Sequence, residues 1–498
     1  MVLVSTLLLC FCGNLSQQGI ISSDQYQVYC GQCHQAPDPT QLPKDIWANH
    51  IMPEMAKIMK VQGQTQGPLD IFSMEESLFA ADSSSSQRSM KVDQETWAAL
   101  LAYLDKQAPD KINVSHRNQD RNEQLVQFTA QPLRWNQDKI GNITSIVFDE
   151  PTQQFTIGDA KGNIHYWPDS STLTSSLPSP VLHVMNESDQ IYITEVGYLD
   201  PSDAARGSLH RWHLDQQEMI IEGLQRPVFS KMVDLDQDGQ SEILICEFGN
   251  HSGKLSLWSL DEGKYRRSIL LNEPGTIKVD ISDMNRDGKD DIIVLASQAR
   301  EGIYILYQEN NLQFETKQVI RLEPQYGSSW FELIDYNGDE HLDIVIANGD
   351  NADYSIISKP FHGLRLYIND GKDQFTQTWF YPIFGATRVC ANDYDLDGDI
   401  DFAVMSFFPD YDIAANESFV YLENINAKTH TFKSHTTRES ALGRWLVMDD
   451  GDYDGDGDLD ILLGSFLLPV TEAHQHIMEY WQRENVHLML LKNEAVTN

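Results

Sequence analysis

Five stretches of this chain place oxygen-bearing side chains at alternate positions, a spacing suited to a hard cation. They are Asp234, Asp236, Asp238 and Glu242; Asp283, Asn285, Asp287 and Asp291; Asp335, Asn337, Asp339 and Asp343; Asp393, Asp395, Asp397 and Asp401; and Asp452, Asp454, Asp456 and Asp460. The shared frame is D-x-[DN]-x-D-G-x-x-[DE]. Side chains at positions 1, 3 and 5 converge on one point. Glycine at position 6 permits a sharp turn, a carbonyl at 7 can add an oxygen, and the acid at 9 closes the cage. Oxygen ligands in that number suit Ca²⁺, up to five in all. Two loops depart from the frame: the first ends in Glu242, and the third has Gly338 at position 4 and Glu340 at position 6. Without metal the same residues are acidic turns, in which packed carboxylates repel one another.

A second pattern is Cys30-Gly31-Gln32-Cys33-His34. C-x-x-C-H is the attachment pattern of a c-type haem. Residues three apart share a helix face, so both thiols reach the vinyl groups of one porphyrin. The adjoining histidine turns its imidazole onto the iron. A structural zinc site would need a second cysteine pair, and none lies nearby. A redox disulfide would leave His34 unexplained. The methionines Met52, Met55, Met59 and Met90 are candidates for the sixth ligand, with His50 behind them; any one of them can equally be core packing.

The elements that must position these groups differ between the two patterns. Each acidic loop runs into a short apolar segment: Ile243 to Cys246, Ile292 to Leu295, Ile344 to Ile346, Phe402 to Met405, and Ile461 to Leu463. These read as buried strands. An EF-hand loop is longer and enters a helix. A loop–strand unit recurring every 49 to 59 residues marks a propeller or solenoid. Seven apolar segments then count seven blade-ending strands, beginning at Ile164, Ser208, Leu255, Ile303, Leu364, Phe419 and His487. Phe148 to Pro151 and Tyr198 to Asp203 read as degenerate loops of the first two blades. Residues 124–128 are expected to pair with the last blade and close the ring. Around the cysteines the signals are helical: Ser23-Asp24 caps a helix into Cys30, and Asp93 caps an amphipathic helix carrying Trp97, Leu100, Leu101 and Leu104 that ends at Pro109.

The acidic frame resembles the FG-GAP (integrin-like, or VCBS) repeat, over roughly the last three quarters of the chain. That resemblance implies a β-propeller with calcium loops on its blades. The segment from Trp47 to Met55, with Met52-Pro53-Glu54-Met55, resembles the W-(x)n-[LM]-P-x-M stretch of cytochrome domains fused to such propellers. The resemblance implies that Met55 binds the iron. Haem helix, methionine loop and closing helix resemble a class I cytochrome c. The expected fold is therefore multidomain: a small all-α cytochrome c domain at 20–109, a linker at 110–122, and an all-β propeller at 123–498.

Composition bounds the setting. The 498 residues carry 36 basic and 74 acidic side chains, a net charge of −38. Five dications would offset only ten of those charges. Such a surface repels nucleic acid and anionic lipid and favours a basic partner. An apolar run from Met1 to Cys12 is too short to span a bilayer and suits a signal-peptide core over 1–19. No lysine or arginine precedes it. Cys10 and Cys12 stand where a lipid anchor could attach, but Leu9 and Phe11 precede them where such sites prefer a small residue. Six cysteines in this length do not make a disulfide framework, and Cys246 and Cys390 read as buried single thiols. Residues 64–89 are rich in Gln, Ser and Gly and read as a surface loop. No G-x-S-x-G, H-E-x-x-H or phosphate loop is present.

The leading expectation is an extracytoplasmic electron carrier. Its propeller would dock a redox partner or surface ligand, and any membrane contact would run through an N-terminal anchor. A propeller oxidoreductase feeding its own haem, and an adhesion protein, are the competing readings. Fold alone does not decide between them.

Overall fold

The computed structural model describes residues 20–31, 34–61, 91–112, 123–135, 141–169, 171–173, 177–187, 189–213, 216–350, 358–467 and 475–496. The expected leader with Cys10 and Cys12, Cys33, Met90, the loop at 64–89 and most of the linker lie outside them. The chain divides into two compact units, with residues 20–31, 36–61 and 91–112 in the smaller and the strands from 123 onward in the larger.

Among the described residues, the smaller unit has three longer helical segments and a short 3₁₀ turn at Pro39–Gln41. Ser22 caps the first, Ser23–Cys30, by a reciprocal capping box: the Gln25 amide donates to Ser22 Oγ at 3.2 Å, and the Ser22 amide to Gln25 Oε1 at 2.9 Å. The third, Gln94–Gln107, starts where expected, with Asp93 accepting from the Thr96 amide at 2.7 Å. Its buried face carries Trp97, Leu100, Tyr103 and Leu104. Tyr26 of the first helix stacks on Tyr103 at 4.9 Å. The middle segment is helical at Lys44–Ile46, widens into a π-turn over Trp47–Ile51 and continues through Met52–Ile58. Met55, expected in a loop, therefore sits on a helix. Pro53 stands directly after the π-turn, as the second residue of the Met52–Ile58 stretch.

The larger unit is a seven-bladed β-propeller. Blade 1 is β3 (Ile143–Asp149), β4 (Gln154–Asp159), β5 (Ile164–Trp167) and β6 (Thr172–Leu173). Blade 2 is β7 (Val181–Glu187), β8 (Gln190–Glu195), β9 (Gly207–His213) and β10 (Gln216–Leu224). Blade 3 is β11 (Pro227–Val233), β12 (Glu242–Glu247), β13 (Lys254–Asp261) and β14 (Lys264–Leu271). Blade 4 is β15 (Thr276–Ser282), β16 (Asp291–Ala296), β17 (Gly302–Asn310) and β18 (Gln313–Arg321). Blade 5 is β19 (Ser328–Ile334), β20 (Asp343–Asn348), β21 (Gly363–Asn369) and β22 (Phe375–Pro382). Blade 6 is β23 (Ala386–Asn392), β24 (Asp401–Ser406), β25 (Phe419–Asn426) and β26 (Thr431–Thr436). Blade 7 is β27 (Trp445–Gly451), β28 (Asp460–Ser465) and β29 (Leu488–Asn493), completed by β2 (Phe128–Leu133) from the start of the propeller. First strands of successive blades pack in a ring, β27 returning onto β3.

The core explains the apolar runs. Every residue of β12, β16, β20, β24 and β28 is buried. In β16, Ile292, Ile293, Val294 and Leu295 are all fully buried, each stabilising the fold by about 1.5–3 kcal/mol. The seven segments expected to end the blades are instead their third strands. In blades 1 to 6 an outer strand follows the third, as in β14, which is polar and exposed enough to lack the apolar signal.

Two further expectations need correction. Ring closure is made by β2, antiparallel to β29, so that of residues 124–128 only Phe128 pairs with the last blade. β1 (Glu123–Gln124) instead pairs parallel with β26 of blade 6. Phe128 marks the crossing, with its ring against Tyr394 (5.5 Å) and Tyr421 (5.3 Å) in the core between blades 6 and 7. Tyr198 to Asp203 is not a degenerate acidic loop, because it joins β8 to β9, whereas the acidic loops join first to second strands. Asp203 there accepts from the amides of Asn250, His251 and Ser252 at 2.9–3.0 Å, tying blade 2 to blade 3. Lastly, a helix unforeseen in the sequence, Gln475–Glu484, precedes β29 and anchors through buried Trp481, whose indole N–H donates to the Ala441 carbonyl at 3.0 Å.

Candidate functional site

All five acidic loops occupy the hairpin between a blade's first and second strands, and they share one backbone. The first Asp accepts from the amides of positions 5 and 6. In blade 4 these are Asp287 N to Asp283 Oδ1 (3.0 Å) and Gly288 N to Asp283 Oδ2 (2.8 Å). Asp234, Asp335, Asp393 and Asp452 do the same. Position 6 has positive φ in each loop, as at Gly398 (+99°) and Gly457 (+98°). Position 4 does too, at Gln237, Arg286, Gly338, Leu396 and Gly455. Gly338 is therefore well placed, and the blade-5 loop keeps the common turn with Glu340 at φ +67°. Glu340 takes that turn at some backbone strain.

The acid at position 9 is the first residue of the second strand and is buried in every loop. It does two things. In blades 3 to 6 it accepts from the amide of position 2: Leu235 N to Glu242 (3.1 Å), Met284 N to Asp291 (3.0 Å), Tyr336 N to Asp343 (3.2 Å) and Tyr394 N to Asp401 (3.3 Å). In blades 4 to 7 it also accepts from the third strand: Gln308 N to Asp291 (2.9 Å), Asn369 N to Asp343 (2.8 Å), Asn424 N to Asp401 (2.7 Å) and Asn493 N to Asp460 (2.9 Å). Three of those partners are asparagines, and each returns its side-chain amide to the carbonyl of position 8: Leu342 (3.2 Å), Ile400 (2.9 Å) and Leu459 (3.1 Å). The aligned Asn at the end of the third strand is a repeat signal that sequence reading passed over.

The electrostatics fit a dication. Burial, together with the neighbouring loop acids, pushes Glu242 and Asp343 up to about 6 and Asp401 and Asp460 up to about 7. Asp291 is raised as well, first by burial. Carboxylate oxygens of Asp234, Asp236 and Glu242 lie within 4.8 Å of one another, as do those of Asp393, Asp395 and Asp401 and of Asp452, Asp454 and Asp460. In blade 7, Asp456 Oδ2 and Asp460 Oδ2 are buried without a hydrogen-bond partner. Unpartnered buried carboxylate oxygens are costly, and Ca²⁺ would satisfy them. Lysines soften two loops: Lys289 stands 3.3 Å from Asp287, and Lys492 pairs with Asp454. The blade-4 and blade-5 loops have asparagine at position 3, and Asn285 and Asn337 take the same turn geometry, each accepting from position 5 at 2.9 Å.

In the C-x-x-C-H motif, Cys30 ends the first helix, half-buried and free. Burial pushes its thiol up to about 12, the opposite of what a redox-active or zinc-binding cysteine requires. His34 Nδ1 lies 2.6 Å from the Gln35 carbonyl oxygen. A carbonyl only accepts, so Nδ1 carries the proton and Nε2 keeps its lone pair. That tautomer suits iron ligation. Met55 is half-buried, whereas Met52 is buried in the core of its unit. Cys246 and Cys390 are buried single thiols, as expected. Among the described residues, no helix is long and apolar enough to cross a membrane.

Residues 283–346, from the blade-4 loop into β20, match the FG-GAP-like repeat family. No curated protein matches the chain. Similar solved structures include the N-terminal domain of Nup159 (11% identity, 76% of this chain, 99% of that chain, TM-score 0.42). Others are BBS1N in complex with ARL6DN (8%, 74%, 97%, 0.44) and the Neurospora crassa Pan2 WD40 domain (12%, 71%, 90%, 0.41). The chain is thus a seven-bladed β-propeller carrying FG-GAP-like repeats, joined to a small helical unit.

Proposed function

We propose that this chain is an extracytoplasmic c-type cytochrome whose propeller is a calcium-stiffened docking module. Cys30 and Cys33 would tether haem c covalently, His34 would bind the iron through Nε2, and Met55 would supply the sixth ligand. The observation that carries the reading is C-x-x-C-H with His34 held by Gln35 in the iron-binding tautomer. Bound haem supplies a one-electron Fe(III)/Fe(II) couple. A thioether ligand raises its potential and fills the sixth position, which favours electron transfer over ligand activation. A cytochrome c domain would be built on the small helical unit, whose first and last described helices are capped by Ser22 and Asp93. Up to five Ca²⁺ would be held by the acidic loops. The partner is a redox protein or surface ligand, not nucleic acid, and membrane contact would come only through an N-terminal lipid anchor after a leader over 1–19.

The test is a reduced-minus-oxidised spectrum of protein matured in a periplasm that attaches haem. The expected result is a c-type spectrum that survives acid–acetone extraction and disappears in Cys30→Ala/Cys33→Ala. Haem that extracts cleanly from the unmodified protein would overturn the attachment. Haem reduction driven by an added small substrate would replace the carrier with an oxidoreductase.

A further inference from the structure

The blade-7 loop differs from the other four at the acid that ends it. In blades 4 to 6 both oxygens of that acid are taken by backbone amides: Asp291 by Met284 and Gln308, Asp343 by Tyr336 and Asn369, and Asp401 by Tyr394 and Asn424. In blade 7, Asp460 Oδ1 accepts from the Asn493 amide, but Oδ2 is buried with no partner. Asp456 Oδ2 and Asp458 Oδ1 are in the same state, and Asp458 is 1% exposed. Among the described residues, no other acidic loop leaves a buried side-chain oxygen unpartnered.

Asp458 is an acid that the shared frame does not require. It stands at position 7, where the other loops carry Gln240, Lys289, His341 and Asp399, none of them buried. Its amide donates to Asp456 Oδ1 at 3.2 Å, and the charges of Asp454, Asp458 and Asp456 all act on Asp460. Five carboxylates thus crowd one hairpin, and Lys492, paired with Asp454, offsets one of them.

Burial ranks the loops. An exposed carboxylate is hydrated, and an arriving ion must displace that water. A buried oxygen without a partner has already lost its water, so an ion there relieves the whole cost of its burial. The turn is also held more firmly in blade 7. The Gly455 amide joins those of Asp456 and Gly457 in donating to Asp452, at 2.8–3.1 Å. A preset turn lowers the ordering cost of binding. The same acids hold the end of the chain. Asp458 Oδ2 accepts from the Val496 amide at 2.8 Å, and Asn493, on Asp460, pairs with Phe128 of the closing strand.

We propose that the blade-7 loop is the propeller's highest-affinity calcium site, that buried Asp458 gives it a carboxylate beyond the shared frame, and that its ion latches the closed ring. The proposal rests on the calcium reading of the acidic loops and is independent of the haem.

The experiment is a calcium titration of the full chain against a chromophoric chelator, beside elemental analysis and a melting curve. The expected result is one calcium bound at least tenfold more tightly than any other. That first equivalent should supply the larger part of the calcium-dependent rise in the propeller's melting temperature. Asp460→Asn keeps an acceptor for Asn493 and should weaken the first site at least tenfold. Asp401→Asn, at the same position of blade 6, should leave it unchanged. Asp458→Asn keeps an acceptor for Val496 and should weaken the first site at least threefold. A variant that does not fold is replaced by Asp454→Asn in the same loop, with a tenfold loss expected. No calcium on the unmodified protein overturns the reading beneath the proposal. Calcium bound with equal affinity throughout, or a tightest site that survives Asp460→Asn, overturns the blade-7 assignment alone. A first site unchanged in Asp458→Asn removes Asp458 from it.

Discussion

The backbone amide of Asn493 donates to Asp460 at 2.9 Å, and the Asn493 side chain returns a bond to the Leu459 carbonyl at 3.1 Å. Asp460 is thus both the last acid of its loop and the peg that fixes the third strand of blade 7. The same Asn donates to the Tyr394 carbonyl of the blade-6 loop at 2.8 Å and accepts from Gln127 at 2.6 Å. One buried amide joins two blades to the strand that closes the ring.

Asn493→Ala should therefore destabilise the propeller more than its small volume implies. It removes the side-chain donor to the Leu459 carbonyl and leaves the Tyr394 carbonyl with Gln127 alone (3.2 Å), at about 1–3 kcal/mol for an unsatisfied group. Urea unfolding of the propeller should show a loss on the order of 2–4 kcal/mol. Asn424→Ala should cost less, because Asn424 has one close carbonyl partner, Ile400, and a marginal contact to Tyr336. Equal losses in the two variants would refute the closure role.

Much of this was legible in the sequence. The acidic frame gave loop position, loop geometry and the strand after it, because those ligands and that apolar run are adjacent in the chain. Seven third strands gave the blade count, because each is buried on both faces. What stayed hidden depends on partners distant in sequence. Asn369, Asn424 and Asn493 look like ordinary turn residues until the loop of the same blade folds against them. Tyr198 to Asp203 has acidic composition without the hairpin position, and only strand order reveals that Asp203 clamps blade 3. Residues 124–128 and 128–133 are equally plausible closing strands by composition, and the packing of Phe128 chooses between them.

Methionine ligation is tested at Met55. Met55→Ala should turn a haem-loaded protein high-spin, open the iron to CO and lower its potential, since a thioether stabilises ferrous iron. A low-spin spectrum that keeps its sulfur-to-iron charge-transfer band would move the ligand to another methionine, with Met90 next in line. Met52→Ala should instead act on stability, because Met52 is 5% exposed and packed in its unit's core.

Calcium removal should act on the propeller and spare the helical unit, which carries no acidic loop. Binding to the folded state alone contributes about 2.7 kcal/mol per site at a hundredfold excess over Kd. Calorimetry in EGTA should show a steep fall in the propeller's melting temperature, with the Soret band of the haem-loaded unit unchanged. Asp454→Ala/Asp456→Ala should reproduce part of that fall. An unchanged melting temperature, with no calcium on elemental analysis, would reduce the five loops to acidic turns.

Glu301 lies away from the acidic loops and sets a pH dependence of its own. It is 2% exposed and accepts from the Ser328 amide at 2.8 Å and from the Ser328 hydroxyl. Burial pushes its carboxyl up to about 8, with the nearby Glu323 adding to the rise and the Ser328 bonds and Arg365 opposing it. Arg365 is itself committed to Asn348 (2.7 Å) and to the Phe361 carbonyl (2.7 Å), so it neutralises Glu301 only in part. A raised carboxyl holds in the folded state a proton that the unfolded chain has already shed. The stability it contributes is therefore complete below the ordinary glutamate range and lost as pH rises through about 8. Glu301→Gln keeps an acceptor for Ser328 and has no proton to lose. Between pH 5 and pH 9 the variant should gain stability relative to the unmodified protein, by an amount on the order of a few kcal/mol. Urea unfolding at the two pH values measures this, and curves that stay parallel would show that Arg365 neutralises Glu301 in full.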